Sequence, residues 1–116
     1  MAITSTRVIT ITFTGGPTGT ETISAAQNTN SAGQIQVIAL SSGNNTITVP
    51  AAGTVPTAAT IVPPVGNLNT LTLKGVNGDT GIAIHLTDPS TIAIASSVTS
   101  FVINASSGTN IQIYWS

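Results

Sequence analysis

The sequence predicts an all-β protein: an antiparallel β-sandwich, jelly-roll-like, built from about eight or nine short strands. Three observations predict it. Apolar and polar residues alternate with period two in one run after another. Those runs are rich in Ile, Val and Thr, which fit a half-buried pleated surface. Turn-forming clusters interrupt them at roughly ten-residue spacing. A chain of 116 residues can bury roughly two-thirds of its unfolded surface, so a single β-sandwich domain over 1–116 is expected.

Taken in order, residues 8–14 place Ile9, Ile11 and Phe13 on one face and Thr10, Thr12 and Thr14 on the other. Residues 18–32 lack that clarity and read as a short edge strand followed by a loop. Alternation resumes in Gln34–Leu40, 45–49, Ala58–Val62 and 70–74. It continues in 80–86, 91–95, 99–104 and Thr109–Trp115. Between the strands lie Gly15-Gly16-Pro17, Ser42-Gly43-Asn44-Asn45, Pro50 to Gly53, Pro63-Pro64, Asn77-Gly78, Asp88-Pro89-Ser90 and Ser106-Ser107-Gly108. In the last strand Trp115 alternates with Ile111 and Ile113 and belongs to the core, while Tyr114 points outward.

The segment from Thr70 to Leu86 has the most specific geometry. Asn77-Gly78 is the preferred pair for a two-residue type I′ turn, whose central positions both need positive φ. That register sets Leu73 opposite Ile82 and Leu71 opposite Ile84, with all four on one buried face. Thr72, Lys74, Ala83 and His85 then share the other face. A four-residue loop over 77–80 keeps the same parity.

Charge bounds the function. Charged residues make up 4% of the chain, against about 25% in ordinary domains. Arg7 and Lys74 are the only cations, so no basic patch exists to neutralise phosphates and nucleic-acid binding is excluded. A net charge of -1 gives little protection against self-association. Such a surface suits a protein that assembles or is covered by partners. Cysteine is absent, which removes disulfides and thiolate chemistry. No apolar run reaches the length of a membrane span, and the first residues lack the apolar core of a signal peptide. Synthesis in the cytosol is the default expectation.

The candidate chemistry is sparse. Asp79-Thr80-Gly81 matches the active-site tripeptide of aspartic proteases, where two carboxylates meet across a two-fold axis and share a proton. Here Asn77-Gly78 precedes it where those enzymes carry apolar residues, so Asp79 reads as a turn residue. His85 and Asp88 are too few for a metal site, which needs three or four ligands. His85 reads as an exposed strand residue, and Asp88 opens the Asp-Pro turn. No Gly-x-Ser-x-Gly elbow holds a nucleophile. The Thr pairs at 10/12/14, 18/20/22, 46/48 and 70/72 are too irregular for an ice-binding ladder. Asn44 and Asn104 open glycosylation-type triplets that read as chance matches. With 3% aromatic residues, a sugar-stacking platform is poorly supplied. No catalytic, cofactor-binding or metal-ligating residue is expected, and the protein reads as a non-enzyme.

The C-terminal half also carries a resemblance. The hairpin Lys74-Gly75-Val76-Asn77-Gly78-Asp79-Thr80-Gly81, the strand with Phe101-Val102-Ile103-Asn104 and the strand Ile111-Gln112-Ile113-Tyr114-Trp115 resemble small β-sandwich structural proteins of tailed bacteriophages, above all the capsid decoration, or cement, proteins. The resemblance implies a jelly-roll-like protein seated on the outer shell, bridging neighbouring major capsid protein subunits as trimers or dimers. It brings no catalytic residues. The expectation is thus a virion structural protein on the capsid surface, made in the host cytoplasm and homo-oligomeric, with a trimer favoured. The alternatives are a phage tail or neck component and a carbohydrate-binding or adhesive sandwich module.

Overall fold

A computed structural model describes residues 5–16, 19–30, 34–51 and 55–116, with the side-chain surroundings given from residue 34 onward. Ten strands run in chain order: β1 Ser5–Gly16, β2 Gly19–Asn30, β3 Gln34–Leu40, β4 Gly43–Thr48, β5 Ala58–Val62, β6 Leu71–Lys74, β7 Ile82–Ala83, β8 Ser90–Ala93, β9 Ser100–Ala105 and β10 Thr109–Trp115. Eight of them form two four-stranded sheets, ordered β3-β10-β5-β8 and β4-β9-β6-β7. Every pairing is antiparallel.

The pairs are nested. β3 takes β10, β4 takes β9, β5 takes β8 and β6 takes β7, as if one long hairpin had been rolled up. Successive pairs fall alternately in the two sheets, and the contacts β10–β5 and β9–β6 close each sheet. This is jelly-roll topology, a double Greek key. β1 and β2 form a separate two-stranded sheet, with Ile11 opposite Ile23 and Thr12 opposite Thr22.

Alternation explains the core. In β10, Thr109, Ile111, Ile113 and Trp115 are buried, while Asn110, Gln112 and Tyr114 are exposed. Ile47, Ile61, Leu71 and Ile103 join them from the other strands. Each such side chain contributes about 1.5–3 kcal/mol on burial. Phe101 leans on Trp115 with ring centroids 6.1 Å apart and planes tilted by 59°, an arrangement favoured by aromatic quadrupoles.

Four local expectations need correction. The segment expected as a short edge strand plus loop holds the twelve-residue β2, because β1 supplies a pairing partner that the local pattern does not reveal. (Residues 18, 31 and 32 of it lie outside the described residues.) The strand expected over 80–86 shrinks to the two residues of β7. Gly81, at φ 76°, breaks the extended backbone on one side, and the turn around His85 ends it on the other. The type I′ turn is absent: neither Asn77 nor Gly78 has positive φ. Instead Asp79 N donates to Val76 O at 3.2 Å, and the Asp79 carboxylate completes the loop. The pairing register survives, with Leu73 opposite Ile82 and Ile84 N donating to Leu71 O. The fully buried four-residue cluster does not. Leu71 is buried and Leu73 and Ile84 are half-buried, but Ile82 is 73% exposed. β7 ends its sheet, and among the described strands none lies beyond it.

Candidate functional site

Lys74 at the end of β6 and Asp79, His85 and Asp88 between β6 and β8 are the acidic, basic and imidazole side chains with described surroundings. Asp79 Oδ2 accepts hydrogen bonds from Gly75 N and Val76 N, each at 3.0 Å. A carboxylate satisfying two loop N–H groups holds a turn closed. Lys74 Nζ donates to Asn44 Oδ1 at 3.3 Å and to Asn77 O at 3.5 Å. Asn104 Nδ2 donates to the same Asn44 oxygen at 2.8 Å. Both asparagines of the glycosylation-type triplets are therefore tied into one polar cluster joining β4, β6 and β9.

His85 lies beyond β7 in a turn, not on a strand as its alternation suggested. Its Nδ1 accepts from Asp88 N at 2.8 Å and from Thr87 N at 3.2 Å, so the ring caps this turn. The Asp88 carboxylate sits 3.6 Å from the same nitrogen. Both side chains are well exposed, which makes any ion pair here weak. Among the described residues no three His, Cys, Asp or Glu side chains gather at metal-binding distance.

Two concave places stand out among the described residues. A groove of about 500 Å³ opens beside the free edges β7 and β8, lined by Leu73, Lys74, Ile92, Ile94, Val98 and Phe101. A second hollow, about 470 Å³, lies beneath the 64–69 loop. Alternation could not locate either, since the first depends on which strands end up at sheet edges and the second on how the 64–69 loop meets the start of β10.

The loop over the second hollow is anchored by a residue that pattern reading missed. Asn67 is 6% exposed. Its Nδ2 donates to Leu86 O at 2.8 Å and Asn69 O at 2.9 Å, and its Oδ1 accepts from Asn69 N at 3.0 Å. The neighbouring Gly66, at φ 70°, and Pro63-Pro64 before it are the local signals of this tight loop. The anchor leaves Val65 fully exposed and Leu68 at 88%. On the sheet surface, Ile35 and Val37 of β3 and Tyr114 of β10 are likewise exposed, and Tyr114 lies directly opposite Ile35. The arrangement offers apolar contact surface and turn-closing polar groups. Comparison of the chain with protein-family models, curated proteins and solved structures finds no match.

Proposed function

We propose that this chain is a virion structural protein, a capsid decoration protein that binds the outer shell as a homo-oligomer and bridges neighbouring major capsid protein subunits. One observation carries the reading: a nearly uncharged jelly roll exposes large apolar side chains in more than one place. Among them are Ile35, Val37 and Tyr114 on the β3–β10 surface, Val65 and Leu68 on the 64–69 loop, and Val76 and Ile82 at the β6–β7 hairpin. Apolar patches on an otherwise polar surface mark places that partners cover, and a bridging protein needs more than one. Jelly rolls serve viral capsids as well as lectins, so the fold alone does not choose between them. Among the described aromatic residues, Phe101 and Trp115 are buried and Tyr114 is exposed, which leaves little for stacking on a sugar.

The test is sedimentation of the purified chain with capsids from its native source, in low and in molar salt. Attachment should persist in both, because so few ion pairs are available to be screened. A chain that binds no particle at either ionic strength would overturn the proposal.

A further inference from the structure

We infer that β3 is an assembly edge, and that a second copy of this chain pairs with it, antiparallel, strand β3 to strand β3. A free sheet edge is a row of unpaired N–H and C=O groups, and proteins that remain alone protect such edges. Of the four edges of the two four-stranded sheets, three are short or polar. β7 has two residues and β8 has four. On β4, the exposed side chains Asn44, Thr46 and Thr48 are all polar.

β3 has none of these devices. It is seven residues long, and it pairs with β10 at every position without a bulge. Gln34–Leu40 contains no charge, proline or glycine. Its outward side chains are apolar, with Ile35 58% and Val37 71% exposed.

The occupant follows from symmetry and charge. An antiparallel pair of identical strands is self-complementary about a two-fold axis. With Val37 on that axis, Ile35 of each copy faces Ala39 of the other, so the two outward apolar rows merge into one. Neither β3 nor its neighbour β10 carries a charged side chain, so two copies meet without like-charge repulsion. The contact closes at two copies; a three-copy ring would require another surface. This inference shares the self-association of the proposed function but does not depend on a shell. Pairing without shell binding would remove the capsid role alone.

The full chain contains no cysteine, so single engineered thiols report proximity cleanly. Directly opposed Cβ atoms in such a pair lie about 4.5–5.5 Å apart, close to disulfide reach. Oxidised Val37→Cys should give a covalent dimer on a non-reducing gel. Thr46→Cys, exposed on the polar edge β4, should remain single. In parallel, Val37→Lys should halve the mass measured by light scattering while leaving the far-ultraviolet circular dichroism spectrum unchanged. Equal cross-linking at the two cysteine positions would overturn the inference. So would an unchanged mass in Val37→Lys, and if that variant also lost shell binding, the edge would belong to a coat subunit.

Discussion

The indole Nε1 of Trp115 donates a hydrogen bond to Gln36 Oε1 at 3.0 Å. Trp115 is 1% exposed, so its indole N–H relies on this acceptor. The bond also fixes which face of β3 turns inward, since Gln36 lies on the same side as Ile38 and Leu40. Replacing Gln36 by Ala leaves a buried donor unsatisfied and should cost about 1–3 kcal/mol in urea unfolding. In a double-mutant cycle with Trp115→Phe, the loss at Gln36 should shrink markedly, because the donor is gone. Additive effects would show that the bond does not contribute to stability.

Leu71 and Ile82 flank the same β6–β7 hairpin with opposite burial. Leu71→Ala should destabilise the fold by about 2–5 kcal/mol through the cavity it leaves. Ile82→Ala should stay within about 0.5 kcal/mol, as surface substitutions do. Thermal melts of the two variants check this, and comparable losses would mean that β7 is covered in solution.

Gly81 and Gly78 separate backbone constraint from simple turn preference. At Gly81 an added Cβ would lie 2.5 Å from Leu73 O and 2.8 Å from Thr72 Cγ2, at a φ of 76°. Gly81→Ala should therefore cost about 1–3 kcal/mol or more. A Cβ at Gly78 meets nothing within 4 Å and no positive φ is required there. Gly78→Ala should be neutral or slightly stabilising. Circular dichroism against temperature distinguishes the pair, and a harmless Gly81→Ala would contradict the close approach of the loop.

Much of the fold was legible because local chemistry and tertiary structure agree. The strands Gln34–Leu40, Ala58–Val62 and Thr109–Trp115 appear with the bounds their alternation predicts. Where legibility failed, a long-range partner or a side chain had displaced the local rule. At Asn77-Gly78, two backbone bonds to the Asp79 carboxylate close a different turn in the same register. Asn67 reads as an ordinary loop residue, because its burial depends on Leu86, which joins it only in the folded chain. β3 is the subtler case. Its sequence shows which residues alternate but not which row faces the core, and the glutamine row is the one that turns in.

The nesting of the strand pairs imposes an order in time. The innermost pair, β6 with β7, joins near neighbours in the chain, whereas the outermost, β3 with β10, must close a loop spanning nearly the whole rolled hairpin. Loop closure of that length precedes any reward from pairing, so such contacts form late. β10 is also the strand that separates β3 from β5 in their sheet. During synthesis from the N-terminus, both neighbours emerge before it and wait with that side unpaired. β3 then shows two bare sides in place of one, with Ile35, Val37, Ile38 and Leu40 all uncovered. The yield of this protein should thus depend on temperature and expression rate more steeply than its final stability alone would suggest.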